Sequence, residues 1–187
     1  MKVPLPPGLT YVADVITEAE EQNLLRAISE EPWLGDLKRR VQHYGYRYDY
    51  KARKIDSSMK IGEVPAWTAF LTDKFRSQGH FIELPDQLIV NEYEPGQGIA
   101  KHVDCQSCFT DTILSLSLGS SCVMTFTHLS SQQVVPVFLE PQSLVIRRGE
   151  SRYEWQHSIA GRKSDTHEGK SYPRGKRVSL TFRKVIL

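Results

Sequence analysis

The sequence has no long apolar run and only three cysteines in 187 residues. Its uninterrupted hydrophobic stretches, such as Leu88 to Val90 or Val134 to Leu139, are far short of the roughly 20 residues needed to cross a bilayer, so no transmembrane helix is expected. Met1 to Thr10 is proline-rich and lacks the charged head and apolar stretch of a secretory signal, which points to a cytoplasmic setting, or a nuclear one in a eukaryote. In such a reducing compartment the cysteines are expected to stay thiols. Cys105 and Cys108 form a C-x-x-C, but no second pair completes a zinc site and no βαβ pattern surrounds it, so a structural or incidental role is expected. Low-complexity tracts and internal repeats are also missing, which sets aside disorder, fibres and solenoids.

What is present is an ordinary globular composition, 40% hydrophobic and 25% charged with a formal net charge of +2. One domain covering 1–187 is expected, with helices and a basic segment in 1–85 and a β-rich core in 86–187. The charge is unevenly spread. Between Lys38 and Lys60 lie Lys38, Arg39, Arg40, Arg47, Lys51, Arg53, Lys54 and Lys60 against Asp49 and Asp56 alone, interleaved with Tyr44, Tyr46, Tyr48, Tyr50 and His43. Cations for phosphate and aromatic faces for bases make a nucleic-acid surface; a solvated basic hairpin would have the same composition.

Thr17 with Glu20 three residues on is a capping box, and Leu24, Leu25 and Ile28 continue it as an amphipathic helix to Glu30. A second helix is predicted from about Pro65, with Trp67, Phe70, Leu71 and Phe75 on one face and Gly79 as its stop. From Gln87 the pattern alternates, and strands are predicted over Gln87–Tyr93, Thr112–Leu118, Cys122–His128, Val134–Leu139, Ser143–Arg147 and Arg177–Val185. Many short strands after two helices predict an α+β, mainly β jelly roll, a double-stranded β-helix buttressed by N-terminal helices. The charged stretch Gly161 to Gly175 is read as a mobile loop.

His102 and Asp104 are two apart, so in extended backbone both side chains leave the same side and can chelate one metal. A further histidine would complete the two-histidine, one-carboxylate triad of non-haem iron(II) oxygenases. A zinc hydrolase could use the same residue types. In the last strand Val178, Leu180 and Phe182 point one way and Arg177, Ser179, Thr181 and Arg183 the other; two guanidiniums on an otherwise apolar strand call for an anion. A dicarboxylate suits them, with Asn91 and Tyr93 able to donate further hydrogen bonds, and a salt-bridge network among strands is the structural alternative.

Asn91-Glu92-Tyr93-Glu94-Pro95-Gly96-Gln97-Gly98-Ile99, His102-Val103-Asp104, Ser115 to Ser120, Gly149 to His157 and Leu180 to Val185 together resemble the AlkB family of iron(II)- and 2-oxoglutarate-dependent dioxygenases, over roughly Lys38 to the C-terminus. The resemblance implies that His102, Asp104 and His157 ligate iron(II), choosing His157 over His128 and His167, and that Asn91, Tyr93, Arg177 and Arg183 bind 2-oxoglutarate. It implies that O2 and 2-oxoglutarate are consumed to oxidise a substrate C–H bond. The basic segment lies where the family has a nucleotide-recognition lid, so Arg39, Arg40, His43, Tyr44, Tyr46 and Arg47 are expected at nucleic acid.

Among the family's branches the chain is most similar to the one that hydroxylates tRNA wobble uridine. That branch is fused to an RNA-recognition module and a methyltransferase, which this sequence lacks. A monomer acting on tRNA or other RNA rather than DNA, with no membrane partner and room for a separate tRNA methyltransferase, is therefore expected. Ser179 and Gln106 replace the asparagine and the acidic residue of the repair-type enzyme, which argues against removal of cationic alkyl lesions. Oxidative demethylation of DNA or RNA bases, or oxidation of a protein or small molecule, are the alternatives.

Overall fold

The structure is a computed structural model in which residues 4–35, 38–49, 52–81 and 83–187 are described. In chain order the elements are β1 (Leu9–Val12), α1 (Glu18–Glu30), β2 (Arg40–Tyr44), α2 (Ala69–Ser77), β3 (Gln87–Tyr93), β4 (Ile99–His102), β5 (Ile113–Gly119), β6 (Cys122–His128), β7 (Val134–Leu139), β8 (Leu144–Arg147), α3 (Glu150–Tyr153), β9 (Trp155–Ile159), β10 (Ser164–His167), β11 (Lys170–Pro173) and β12 (Arg177–Arg183).

The capping box forms as expected. The Thr17 hydroxyl accepts the Glu20 N–H at 3.1 Å and the Glu20 carboxylate accepts the Thr17 N–H at 2.8 Å, which fixes where α1 begins. Such a cap stabilises a helix by about 1 kcal/mol. The buried Glu21 then ties α1 to the sheet by accepting the Gly119 N–H and the Gln142 amide, both at 2.7 Å. In the second helix the expectation needs correction. A 3-10 turn, Ala66–Thr68, leads into α2; Leu71 and Phe75 are buried and Trp67 packs beside them, but Phe70 is exposed. Adjacent helical residues point 100° apart, so Phe70 and Leu71 cannot share the centre of one stripe.

Two antiparallel sheets face each other. The larger has the order β1-β8-β5-β12-β3-β2 and the smaller β4-β9-β6-β7. From β3 to β9 the chain passes back and forth between the sheets, apart from the β6–β7 hairpin within the smaller one, as in a jelly roll. The outer face of the large sheet is closed by α1 and α2 over Val178, Leu180, Phe182, Leu114, Leu116 and Ile146. A second cluster, including Phe126, Val137, Leu139, Val145 and Trp155, lies between the sheets. Alternation along β12 therefore divides it as expected, with its apolar set under the helices and Arg177, Ser179, Thr181 and Arg183 turned to the cavity between the sheets.

Several elements depart from expectation. Strands β1, β2, β4 and β9 are additional, and the segment Gly161 to Gly175, expected as a loop, holds the β10–β11 hairpin. Its charges are used inside the protein. Asp165, 1% exposed, accepts from Arg174 Nε at 2.6 Å, Arg162 Nε at 2.7 Å and the Val123 N–H at 3.1 Å, docking the hairpin on β6. Cys105 and Cys108 are likewise corrected: they are joined in a disulfide, because the turn after Asp104 brings their Cα atoms to 5.3 Å, within bridging range, while Cys122 is a buried thiol. Among the described residues no helix is long and apolar enough to cross a membrane.

Candidate metal and cosubstrate site

A cavity of about 340 Å³ opens between the sheets. On one wall β4 and β9 run antiparallel with His102 opposite His157 in register, so the two rings lie 4.2 Å apart between centroids. Asp104 follows two residues after His102, placing its Oδ1 3.7 Å from His102 Nε2. Ligand atoms of the three lie within 4.8 Å of one another, and among the described residues they form the one group able to hold a metal. His128, bound to Ser131 through Nδ1, and His167, stacked on Phe138, lie outside it.

The ring of His102 is already oriented for coordination. Its Nδ1 is 2.7 Å from the Ala100 carbonyl, a contact that requires Nδ1–H and leaves the Nε2 lone pair facing Asp104. Burial lowers the pKa of His102 and holds that of His157 well below the usual histidine value, with Arg147 adding to the effect at His157, so both rings are neutral donors at neutral pH. Burial alone would raise Asp104; Arg183 and Arg147 outweigh it and keep the carboxylate well below its usual range. The contacts are Arg147 Nη2 to Oδ2 at 2.7 Å and Arg183 Nη2 to Oδ1 at 3.1 Å. Arg152 fixes the backbone from below, donating to the carbonyls of Asp104 and Cys105 at 3.1 and 2.8 Å.

The opposite wall is β12 and β3, paired so that Arg177 faces Tyr93 and Ser179 faces Asn91. Arg177 donates through Nη2 to Ser117 at 2.8 Å, yet its buried Nε and Nη1 have no protein acceptor, nor does the buried Nε of Arg183. Unpaired guanidinium donors facing a cavity fit a carboxylate ligand, and two of them at opposite ends of one strand fit a dicarboxylate. Burial raises the Tyr93 phenol, with Arg39 and Arg177 opposing, so it stays protonated and able to donate. The residues present therefore fit both an N,N,O-bound divalent metal and 2-oxoglutarate.

The lid residues divide. Arg39 lines the cavity and donates to Asn91 at 2.9 Å, and Tyr48 and Arg53 line its mouth, Arg53 donating to the Val103 carbonyl at 2.8 Å. Arg40 is held by Glu92 at 2.8 Å. Tyr44 packs against Trp67 and donates to Gln42, and Tyr46 is buried among Cys105, Cys108 and Phe109, so neither offers an open face to a base. His43 is half-buried on β2 and Arg47 is exposed just beyond it. Tyr50 and Lys51 lie outside the described residues.

Arg147 is the site residue that sequence reasoning missed. It ends β8, where Leu144 and Ile146 point to the helices and Val145 and Arg147 into the cavity, the same alternation that marked β12. A cation placed inward on an apolar strand was the available signal.

Comparison with known proteins agrees with this geometry. Residues 8–183 match the model of the 2OG-Fe(II) oxygenase superfamily. The chain is 38% identical, over 97% of its length, to the mouse protein named tRNA (carboxymethyluridine(34)-5-O)-methyltransferase ALKBH8, and spans 31% of that relative. It is 38% identical over 96% of its length to the Arabidopsis thaliana protein named Alkylated DNA repair protein ALKBH8 homolog, spanning 58% of it. The solved structure of OsALKBH1 superposes with a TM-score of 0.72 over 97% of this chain and 99% of that one at 19% identity, which shows the common fold. Fold, triad and sequence converge: the chain belongs to the 2OG-Fe(II) oxygenase superfamily and is an AlkB-type dioxygenase using iron(II), 2-oxoglutarate and O2.

Proposed function

We propose that the protein hydroxylates a carbon side chain on a uridine of an RNA loop, the wobble uridine of tRNA in particular. His102, Asp104 and His157 would hold the iron, and Asn91, Tyr93, Arg177 and Arg183 the 2-oxoglutarate. When bound, the pair supplies the oxidising power for C–H hydroxylation. The chain's own part is to keep both histidines neutral, hold Asp104 ionised and close the reaction off from bulk water.

The observation that carries the reading is a cavity lined by the triad together with Arg39, with Tyr48 and the exposed Arg53 at its mouth. Two cations and an aromatic ring so placed suit one unstacked nucleotide, phosphate outward and base inward. Similarity to a relative whose name concerns carboxymethyluridine 34 of tRNA directs the reading to that nucleoside. A monomer fits this use, with a separate methyltransferase as partner. Gln106, which donates to the Tyr153 carbonyl at 3.1 Å, puts no negative charge beside the cavity to favour a cationic alkylated base.

The test is incubation with bulk tRNA, iron(II), 2-oxoglutarate and O2, followed by nucleoside mass analysis. A gain of one oxygen on a uridine derivative, matched by succinate, is expected. Formaldehyde release from a methylated oligonucleotide with tRNA unchanged would make the protein a demethylase instead.

A further inference from the structure

We infer that Arg147 recognises a carboxylate on the substrate, so that the group oxidised is a free-acid side chain of the base and not its ester or amide. This rests on the function proposed above and names its substrate class more closely.

The argument begins with what Arg147 touches. Its side chain is 4% exposed; Nη2 is engaged by Asp104, and Nη1 lies 3.0 Å from Nδ1 and 3.2 Å from Nε2 of His157. A neutral imidazole has one ring nitrogen with a free lone pair and one carrying a proton. If His157 gives that lone pair to a metal, its other nitrogen is an N–H and cannot accept from Nη1. Ligation by His157 therefore leaves a guanidinium N–H without a protein acceptor in a site that solvent barely reaches. A buried charged donor left so is costly, and an oxyanion beside the metal ligands is the partner that removes the cost.

The other anions in the cavity already have partners. Asp104 is held from both sides by Arg147 Nη2 and Arg183 Nη2. The two carboxylates of 2-oxoglutarate are accounted for by Arg177 and Arg183 with Asn91 and Tyr93. The cavity is lined by five guanidiniums, from Arg39, Arg53, Arg147, Arg177 and Arg183, with Asp104 as the one carboxylate among the described residues. A divalent metal and a dianionic cosubstrate cancel each other, so the surplus of positive charge persists after both are bound. It repels a cationic base, gives a neutral one nothing, and attracts an acid.

The placement also selects a bond. In a carboxymethyl group the methylene carbon is attached directly to the carboxylate carbon, so a carboxylate held by Nη1 beside His157 and Asp104 keeps that methylene at the triad. The balance is the family's own: 2-oxoglutarate loses carbon dioxide and becomes succinate, one atom of O2 ends in succinate and the other in the new hydroxyl group on the methylene carbon.

The test measures binding without oxygen, with manganese(II) and 2-oxoglutarate present, of anticodon stem-loops carrying 5-carboxymethyluridine, its methyl ester or its amide. The wild type is expected to bind the acid about tenfold or more tightly than either neutral form, the scale of one hydrogen bond to a charged group. In Arg147→Met, compared at manganese and 2-oxoglutarate concentrations that saturate the variant, since Arg147 also holds Asp104, that ratio should fall to about twofold or less; Arg147→Lys should keep part of it. A wild type that binds the three equally, or the ester or amide better, overturns the inference whether or not the variants fold. If Arg147→Met loses 2-oxoglutarate affinity while the acid preference persists, the carboxylate that Arg147 meets is the cosubstrate's and the inference fails. Oxidation of ester and acid alike without an acid preference leaves the proposed function standing and removes this inference alone; failure to bind or oxidise any of the three better than an unmodified loop removes both.

Discussion

His102 and Asp104 differ in what their loss should cost, although both belong to the triad. His102→Ala removes a half-buried ring whose one hydrogen bond is to a carbonyl, so the fold should survive while metal binding and succinate formation are lost. Asp104→Ala also strands two buried guanidiniums, and a destabilisation on the order of 3 kcal/mol is expected, read as a lowered denaturation midpoint alongside the lost activity. Equal melting temperatures for the two variants would show that Arg147 and Arg183 do not depend on Asp104. Arg177→Lys should weaken 2-oxoglutarate binding about tenfold or more, because an ammonium cannot replace a planar fork with two donors free for a carboxylate. Titration by tryptophan quenching or calorimetry would measure it, and an unchanged affinity would make Arg177 a strut for Ser117 and Tyr93. At this scale the sequence was most readable where period-two spacing and motif agreed, as at His102, Asp104, Arg177 and Arg183. It was least readable at Arg147, whose neighbour Arg148 makes the pair look like an exposed basic turn, and at Tyr44 and Tyr46, whose inward packing depends on α2 and on the turn after Asp104.

The register of β4 against β9 brings the two histidines together, and Gly98 sets how closely those strands approach. A methyl group there would collide with the Ile159 carbonyl, which is backbone and cannot rotate away. Gly98→Ala should therefore separate His102 from His157, lowering metal affinity more than global stability; cobalt(II) titration compared with a melting curve would separate the two effects. The β10–β11 hairpin depends on Asp165. Burial raises its carboxyl, but Arg174, the Val123 N–H and Arg162 prevail and lower it below 3.8. A carboxylate with a depressed folded pKa contributes stability that is fully present above the unfolded value and is lost as pH falls through the folded one. Acid should thus release the hairpin below about pH 4, and Asp165→Asn should flatten stability against pH over that range, as hydrogen exchange at Ser164 to Pro173 would report. Unchanged acid sensitivity in Asp165→Asn would assign the effect to other carboxylates. The helices and the long strands were legible because their apolar periods are uninterrupted. Strand β9 was not, since Gln156, His157 and Ser158 in a five-residue strand carry almost no pattern, and the hairpin was not, since ion pairs between residues 3 and 9 apart resemble solvated charge until the fold buries them.

Taken whole, the jelly roll is a shell around a positively charged interior, and its ligands are what that interior is built for. Added to the metal-loaded protein at about a hundred times its dissociation constant, 2-oxoglutarate should contribute about 2.7 kcal/mol, or a rise of about 5–10 °C in melting temperature for a protein of this size. Succinate, which also carries two carboxylates but lacks the keto oxygen for chelation, should give a smaller shift, and a monocarboxylate such as acetate less again. Equal shifts for all three would mean that charge screening alone is responsible. The strand that completes this interior has a further consequence. β12 is the latest strand along the chain yet lies between β3 and β5, hydrogen-bonded to both. Until residue 183 is available during synthesis, the large sheet is two fragments with open edges, and those edges expose the backbone groups that nucleate aggregation. Folding cannot be completed piece by piece from the N-terminus; the cosubstrate wall and the central seam of the sheet arrive in one late step, so nascent chains halted before β12 should be insoluble and blind to 2-oxoglutarate, and released ones should acquire both properties together.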